Sequence, residues 1–329
     1  MKRALLLLAI LAVPAAASHA APSKGGETAA LVTAETENSL LVVDLSSGKV
    51  VQRLAMPDGP ENVETTRSGA EAVVVSTSAG AVTLLSLPRL RVRRTIRGFA
   101  TPHIAAFSPN GQYLYVTDDA RGELVVIGVR RARVMRRLFV GSGAHHIAVR
   151  PDGKRLWIVL GERAREIVIV NARRPAHPWV AGRLFDGDLG GLAHDAAFAP
   201  GGKRVWVTYD DRPTITVFDA RTYRTLFTLP AGSPPQHVAF GPHSFVPTGR
   251  YAYVTSGNDG RLRIFSLRGG LLGVAPTPAG SFNLSLGDDR VLTSSLTRGT
   301  LTELRSTGGR IWTRRVAPAA RDAAFADLP

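Results

Sequence analysis

The amino-acid sequence predicts an all-β protein, a seven-bladed β-propeller built from four-stranded blades. Three observations lead to this fold. A phrase of alternating apolar residues and a glycine turn recurs along the chain, and almost no segment has the 3.6-residue periodicity of a helix. The two ends of the chain carry complementary parts of one repeat. They predict a ring that closes when the C-terminal strand pairs with the N-terminal blade.

The recurring phrase can be read directly from the sequence. It is PHIAAFSPNGQYLYVTD at 102–118, HHIAVRPDGKRLWIVLG at 145–161, HDAAFAPGGKRVWVTYD at 194–210 and, with a longer turn, QHVAFGPHSFVPTGRYAYVTS at 236–256. The turn glycines, spaced 42, 42, 49 and 47 residues apart, are Gly69, Gly111, Gly153, Gly202 and Gly249. This spacing is typical of propeller blades, which take about 40–45 residues each.

The unit that begins at His103 illustrates one blade, whose strands are named A to D in chain order. Strand A is IAAFS, and a Pro-Asn-Gly turn leads to strand B, YLYVT. A short loop then leads to strand C, ELVVIGV, and an arginine-rich turn to strand D, VMRRLFV. Alternating β-branched and aromatic residues suit a pleated sheet that packs against its neighbours. Each repeat therefore predicts one antiparallel blade.

The ends of the chain complete the ring. RDAAFA at 321–326 matches HDAAFA at 194 and predicts a lone strand A. Near the N-terminus, AALVTAETENSLLVVDL matches strands B and C. We therefore expect a single propeller over residues 30–329, closed non-covalently by these two segments, because closure removes exposed sheet edges.

Residues 1–20 have the pattern of a secretory signal peptide. Lys2 and Arg3 precede an apolar run, and the segment ends in Ser18-His19-Ala20. Residues 21–29 would form a short N-terminal segment before the propeller. We expect an exported protein, extracellular, bound to the cell wall or periplasmic, with no transmembrane segment after cleavage. The chain has no cysteine, which excludes disulfides and thiolate metal sites.

Several repeats resemble a known family. YLYVTDD, RVWVTYDD and YAYVTSGNDG, each followed by a strand such as TITVFDARTYRTLFTLP, are similar to the YVTN-type (YncE-like) repeat of exported bacterial β-propellers. The resemblance implies a secreted seven-bladed propeller and does not imply a reaction. Similar propellers form the haem d1 domain of nitrite reductase, the hub of nitrous oxide reductase, and lactonases.

Polar residues recur where strand A begins. Because successive strands are antiparallel, the D–A and B–C loops share one face, here called the top face, and strand A lines the central channel. We expect a set of repeated positions to surround the channel mouth. These are His103, His145, His194, Gln236, Glu61 and Arg321, with His146 and His237 one place further in.

Two interpretations of these histidines remain open. They can cap backbone groups where strand A begins, which is the interpretation we favour. Alternatively, they can hold copper, iron or zinc, or act as an acid and base, because neutral imidazole is a ready metal ligand. No cofactor is predicted under the first interpretation, and no catalytic residue is assigned under either.

Acidic residues also belong to the predicted top face. They are Asp118, Asp119, Asp186, Asp188, Asp210, Asp211 and Asp259. The longer loop FDGDLGGLAHD offers Asp186, Asp188 and Asp195 as possible oxygen ligands for calcium. We favour turn formation by Asx hydrogen bonds for most of these acids.

Positive charge is expected on the opposite face, whose A–B and C–D turns hold many arginines. Formal net charge is +15, and Arg91, Arg131, Arg133, Arg174 and Arg221 should share this face. A one-sided excess favours anionic partners, here a surface polymer or lipid head groups. Specific nucleic-acid recognition is not indicated.

The sequence therefore predicts an exported propeller that binds an unknown protein or small molecule through its top face and catalyses nothing by itself. The alternative function is a metal- or haem-dependent enzyme of the lactonase, lyase or oxidoreductase type that uses the mouth histidines. The sequence contains no signature that identifies a substrate.

Overall fold

The computed structural model describes residues 27–161, 165–241 and 251–328. Within these ranges the chain forms seven four-stranded antiparallel sheets arranged in a closed ring, which confirms the predicted seven-bladed propeller. The predicted signal peptide, residues 1–20, and most of the segment 21–29 lie outside the described residues. The same is true of part of the long turn predicted after Gly241.

The strands follow one another in chain order. The first three are β1 (Ala29–Ala34), β2 (Ser39–Asp44) and β3 (Lys49–Ala55). The next two sheets are β4 (Pro60–Thr65), β5 (Glu71–Ser76), β6 (Ala81–Ser86), β7 (Arg91–Arg97), and β8 (Pro102–Phe107), β9 (Tyr113–Asp118), β10 (Glu123–Gly128), β11 (Arg133–Phe139). Two more are β12 (His146–Val149), β13 (Arg155–Val159), β14 (Ile167–Asn171), β15 (Trp179–Leu184), and β16 (Ala193–Phe198), β17 (Arg204–Tyr209), β18 (Thr214–Asp219), β19 (Thr225–Pro230). The last strands are β20 (Val238–Gly241), β21 (Tyr251–Ser256), β22 (Arg261–Ser266), β23 (Leu271–Pro276), then β24 (Ser281–Leu286), β25 (Arg290–Ser295), β26 (Thr300–Arg305), β27 (Arg310–Arg315) and β28 (Ala320–Ala326).

The ring closes as the two chain ends predict. Strand β28 pairs antiparallel with β1, with Ala30 opposite Phe325 and Leu31 opposite Ala324. This pairing makes the sheet β28-β1-β2-β3, in which the C-terminal strand is the inner one. The inner strands β28, β4, β8, β12, β16, β20 and β24 contact one another in sequence around the channel. The ring is therefore closed by strand pairing between the two ends of the chain.

The hydrophobic core lies between adjacent sheets, and strand alternation determines which neighbour each side chain meets. On β9, Leu114 and Val116 pack with Val73 and Val75 of the preceding sheet. Tyr115, between them in sequence, packs on the opposite side with the following sheet. Because the two middle strands of each blade are covered on both faces, they carry nearly continuous apolar runs.

Hydroxyl groups of the second strands tie each blade to the next at the channel end. Thr117 Oγ1 donates to the carbonyl of His145 at 2.6 Å, and Thr208 Oγ1 donates to that of Gln236 at 2.5 Å. Ser294 Oγ makes the equivalent bond to the Arg321 carbonyl at 2.9 Å. These bonds fix the backbone of the residues that begin the inner strands.

Strand order also separates the two faces. The B–C and D–A loops lie at the top face, and the A–B and C–D turns lie at the other end. The turn residues Arg91, Arg131, Arg133, Arg174 and Arg221 lie in or next to C–D turns, so they are at the end opposite the channel mouth.

Helix is almost absent from the described part of the chain. It comprises a 3₁₀ turn at Glu35–Glu37 and α1 (Asp186–Leu189) in the loop before β16. No helix among the described residues has the length and apolar character needed to cross a bilayer.

A candidate metal site at the channel mouth

Each inner strand contributes two successive residues to the channel mouth. The first residues form an outer ring: Glu61, His103, His145, His194, Gln236, Phe282 and Arg321. The next residues form an inner ring: Asn62, Ile104, His146, Asp195, His237, Asn283 and Asp322. All seven outer-ring residues, together with five of the inner ring and Asp210, line a cavity of about 290 Å³.

Irregular pairing explains how two adjacent residues can face the same space. In a regular strand they would point to opposite sides. The pairing register shifts between Pro60 and Asn62, between Pro102 and Ala105, and at equivalent places in β16 and β24. A bulge adds a residue and redirects the side chains beside it. In these four strands the bulge places two successive residues at the mouth, whereas in the fourth and sixth blades His145, Gln236 and His237 precede the first residue of the strand.

Five histidines from four consecutive blades form one cluster in these rings, with His146 at its centre. The His146 ring centroid lies 4.7 Å from those of His145 and His194, 4.8 Å from that of His237 and 5.3 Å from that of His103. His103 and His145 are stacked, with centroids 3.7 Å apart. The sequence placed these residues around the channel, and the structure brings them into mutual contact.

Each of the five imidazoles has an oxygen beside its Nδ1. For His145 it is Asp119 Oδ2 at 3.0 Å, and for His194 it is Asp210 at 3.0 Å. His146 Nδ1 is hydrogen-bonded to the carbonyl of His194. Two longer contacts complete the set, with Asp195 Oδ2 3.5 Å from the Nδ1 of His237 and Glu61 Oε2 3.6 Å from that of His103.

The three oxygens that are hydrogen-bonded to Nδ1 determine the tautomer of His145, His146 and His194. An oxygen acceptor at Nδ1 keeps the proton there and leaves Nε2 with its lone pair. No hydrogen bond to Nε2 of these five histidines is formed within the described part of the chain. His145, His146 and His194 therefore present Nε2 as a ligand atom, and His103 and His237, whose Nδ1 atoms make only the longer contacts, add two more imidazoles to the cluster.

Burial keeps the centre of the cluster neutral. It lowers the pKa of His103 and His146 well below 6.5, and the nearby charge of His145 lowers both further. Burial raises the pKa of Asp210, but its hydrogen bond and charge interaction with His194 outweigh this, so that its net pKa is lowered. Neutral imidazoles beside ionised carboxylates are the protonation states that favour metal binding.

Two groups of three histidines are close enough to hold a metal ion. They are His103, His145 and His146, and His146, His194 and His237; within each group the ligand atoms lie within 4.8 Å of one another. Zinc–imidazole bonds are about 2.0–2.1 Å long, so each group would need an inward movement of less than about 1 Å. His146 belongs to both groups, which makes it the shared ligand. The donor set therefore fits zinc or copper.

The remaining arc of the mouth has a structural role. Asp322 Oδ2 accepts hydrogen bonds from Asn62 Nδ2 at 2.9 Å and from the Val63 amide at 3.0 Å, in the neighbouring blade. Asn62 Oδ1 accepts from the Ala105 amide, and Asn283 Nδ2 donates to the carbonyl of Arg321. These inner-ring side chains tie adjacent blades together.

Arg321 completes the outer ring on this side. Its guanidinium lies 3.7 Å from Glu35 and 3.6 Å from Glu61. Burial raises the pKa of Glu61, and the charge of Arg321 opposes that rise. The predicted ring member Gln236 is buried, and its Oε1 accepts a hydrogen bond from the Gly257 amide at 2.8 Å.

Only two of the seven predicted top-face acids reach the histidines. These are Asp119 and Asp210, described above. Asp118 is fully buried and accepts from the amides of Ala100 and Thr101, while Asp211 accepts from the Leu192 amide. Asp259 pairs with Arg263. These bonds hold loops in place, as expected for Asx chemistry.

The acids considered for calcium do not converge. Asp188 caps the start of α1 by accepting from the Phe185 amide, and Asp186 lies 3.4 Å from Arg165. Asp195 belongs to the inner ring, where it accepts from the Val238 amide. Among the described residues, the groups compact enough for a metal consist of histidines alone.

Some mouth residues escape the sequence analysis. Phe282, Asn62 and Asn283 line the cavity, and Asp195 acts there and not in a loop. Aligning the inner strands on RDAAFA and HDAAFA places an acid or amide one position after the ring residue in four of the seven blades, and this pattern is the signal that could have identified them. The segment FNLSLG, which contains Phe282 and Asn283, matches the repeated phrase too weakly for its ring positions to be identified from the sequence.

Solved structures share this fold at low sequence identity. A functionally unknown protein from Desulfotomaculum acetoxidans superimposes with a TM-score of 0.79 at 12% identity, covering 92% of this chain and 100% of that one. A putative 6-phosphogluconolactonase from Bacteroides uniformis gives 0.73 at 17%, covering 90% and 98%. Apo AztD from Citrobacter koseri gives 0.69 at 13%, covering 90% and 96%.

Sequence comparison adds no relative. No family model matches the chain, and no curated protein matches it. The structural likeness therefore shows the fold alone, because proteins of one fold host unrelated functions. The chain is a seven-bladed β-propeller.

Proposed function

We propose that this protein binds a divalent transition-metal ion, zinc or copper, at the channel mouth of its top face. One observation carries the proposal: five imidazoles are clustered, and three of them hold a hydrogen bond at Nδ1 that leaves Nε2 available as a ligand. This arrangement is typical of metal-binding histidines, in which a carboxylate or carbonyl orients the ligand. The proposal keeps the predicted binding role of the top face and gives its ligand a chemical class.

The distribution of partners argues against a purely structural role. A histidine that only capped the backbone would bond to backbone groups, and His146 alone does so through Nδ1. The other four face carboxylates of Glu61, Asp119, Asp195 and Asp210. Carboxylates beside neutral imidazoles raise their basicity as ligands.

An enzymatic role at the same site is the second candidate. Three imidazoles leave a coordination position for water or substrate, as in catalytic zinc sites. Asp210 and Glu61, the carboxylates that line the cavity, would then be the candidates for proton transfer. This candidate requires turnover that is lost together with the metal. Haem binding has no additional support from the residues of the mouth.

Two further proposals rest on the sequence. The recurring YVTD and YVTS phrases support membership of the YVTN-type group, and the pattern of residues 1–20 supports export. N-terminal sequencing of the protein from the cells that produce it would test export, since cleavage after Ala20 predicts a mature chain beginning at Ala21.

Calorimetric titration of metal-free protein with Zn²⁺ and Cu²⁺ tests the metal proposal. We expect one ion per chain, because both groups of ligands use His146. The double variant His145→Ala/His194→Ala removes one ligand from each group and should abolish stoichiometric binding. His177→Ala is the matched control, since His177 is exposed in the turn before β15, at the opposite end. Equal binding by the double variant would refute the site.

A further inference from the structure

Positive charge covers the outer strands of four consecutive blades. These strands are β27, β3, β7 and β11, in order around the ring. Their basic residues, here called the basic arc, are Arg310, Arg314, Arg315, Lys49, Arg53, Arg91, Arg93, Arg94, Arg97, Arg133, Arg136 and Arg137. None of the four strands contains an acidic residue.

The other three outer strands are different. Strands β15, β19 and β23 hold a single basic residue, Arg183, which pairs with Glu166. Their exposed positions are uncharged and mostly apolar, including Trp179, Leu226 and Leu271. Charge is therefore concentrated on one side of the propeller rim, and a general excess of arginine in the composition does not account for that distribution.

Most of the basic arc is free of acidic partners. Arg53, Arg93 and Arg137 form ion pairs, with Glu37, Glu71 and Glu123 respectively. Within the described residues the others in the arc have no such pair, and most are exposed. Screening extends over about 8 Å at physiological salt, so neighbouring side chains along adjacent outer strands reinforce one another's field.

A cavity of about 590 Å³ lies at the lower end of the arc, between the blades of β7 and β11. Arg130, Arg131, Arg133 and Arg93 line it together with Asn110, Gln112, Tyr113 and one acid, Glu71, which is paired with Arg93 and leaves the other three arginines without an acidic partner among the described residues. Arginine forks and amide groups around a concave space suit an anionic unit with further hydroxyl groups. The cavity could therefore hold one unit of an anionic ligand at the lower end of the basic arc.

We propose that the basic arc binds a linear polysaccharide that carries carboxylate groups. All but one of its charges are arginines, whose planar fork matches a carboxylate with two hydrogen bonds. Hydroxyl-rich sugar units match the polar lining of the cavity. A flexible chain can follow the convex rim over four blades, contacting successive arginines.

The shape of the arc disfavours other polyanions. A flat bilayer would touch only one or two blades of a convex rim. Duplex DNA has a persistence length of about 50 nm and cannot follow so tight a curve without a large bending cost. Single-stranded nucleic acid is usually held by aromatic platforms, and on these four outer strands only Phe139 is an exposed aromatic.

Binding of polymannuronate oligomers of increasing length, followed by fluorescence anisotropy with chelator present, tests this proposal. We expect affinity to rise with oligomer length. We also expect it to fall steeply between about 50 and 200 mM salt, the range over which a protein that contacts several charges of a polyanion loses most of its affinity. The triple variant R94Q/R97Q/R136Q should lose about tenfold in affinity, since exposed ion pairs contribute modestly one by one.

The matched control is K203Q/R221Q/R224Q, which removes the same charge from exposed turns elsewhere. It should retain affinity within about twofold, and both variants should melt like the wild type because the replaced side chains are exposed. Equal loss in both variants would overturn the proposal, because it would indicate a response to net charge alone. Tighter binding to anionic vesicles or to duplex DNA than to polymannuronate would also overturn it. His146→Ala should bind the polymer normally, which separates this inference from the metal site.

Discussion

The two sides of the channel mouth use the same positions of the repeat in different ways. On one side Asn62, Asn283 and Asp322 tie adjacent blades through hydrogen bonds to the backbone. On the other side the equivalent positions include His146 and His237, and most of the nearby imidazoles face carboxylates. The fold closes well with amides and acids at this position, so closure does not require histidines. Their concentration on four consecutive blades indicates a binding role.

His146 combines the two roles. Its Nδ1 bonds to the carbonyl of His194 in the next blade, as Asn283 does to that of Arg321. Its imidazole is also the centre of the cluster and a member of both ligand groups. The comparison therefore predicts that substitutions on the amide side change stability, and that substitutions on the histidine side change metal affinity.

The largest effect is expected at Asp322. Replacing it with alanine leaves Asn62 Nδ2 and the amides of Val63 and Ala323 without their buried acceptor. Each lost partner costs about 1–3 kcal/mol, so the free energy of unfolding should fall by about 3 kcal/mol or more in urea denaturation. Asp322→Asn should lose much less, because its amide oxygen still accepts. A stability loss of under about 1 kcal/mol for Asp322→Ala would show that closure does not depend on this side chain.

Metal affinity should respond most to His146. His146→Ala removes the ligand common to both groups, and we expect zinc affinity to fall by more than about a hundredfold, beyond the 10–100-fold effect of losing a partner that only orients a ligand. Asn283→Ala alters the equivalent position on the amide side and should leave zinc affinity unchanged. If the two variants lose affinity equally in calorimetry, the distinction between the two sides fails.

A smaller loss is expected from the carboxylates that orient the ligands. Asp119→Ala leaves His145 without its Nδ1 partner, and zinc affinity should fall by about tenfold. Asp259→Ala is the control, since Asp259 pairs with Arg263 in a loop of the same face. Unchanged affinity in Asp119→Ala would mean that the carboxylate has no role in binding.

The smallest effect concerns pH. Because the pKa of His103 in the folded protein is lowered below 6.5, the unfolded chain binds a proton first as pH falls. Stability of metal-free protein should therefore decline below about pH 6.5, and His103→Asn should remove about 1 kcal/mol of that decline between pH 7 and 5.

Glu64 contributes in the opposite direction, since burial raises its pKa to about 8 and the folded state holds that proton. Its stabilisation is lost as pH rises towards 8. Wild type and His103→Asn both retain Glu64, so its contribution cancels when the pH dependence of their stability is compared. An identical pH dependence of stability in wild type and His103→Asn would contradict the assignment of a buried neutral imidazole.

The sequence predicts much of the fold because each blade repeats its own local signals. The Pro-Asn-Gly turn and the run ELVVIGV define strands without any tertiary information, and RDAAFA identifies the closing strand. The histidine positions also follow from the repeat. Their pairing does not, because Asp119 and His145 belong to neighbouring blades, and the rotation between blades determines which loop acid reaches which imidazole. The bulges at the start of β4, β8, β16 and β24 are equally invisible in the apolar pattern.

The most direct test of the central claim is X-ray absorption at the zinc edge of wild-type protein loaded with one equivalent of Zn²⁺ and freed of excess ion. The account predicts a first shell of nitrogen and oxygen at about 2.0–2.1 Å, with the multiple scattering of at least three imidazoles. In His177→Ala the spectrum should be the same, and in His146→Ala the imidazole contribution should decrease. A wild-type spectrum without imidazole scattering, or a protein that retains no zinc after the excess is removed, would contradict a metal site at the channel mouth.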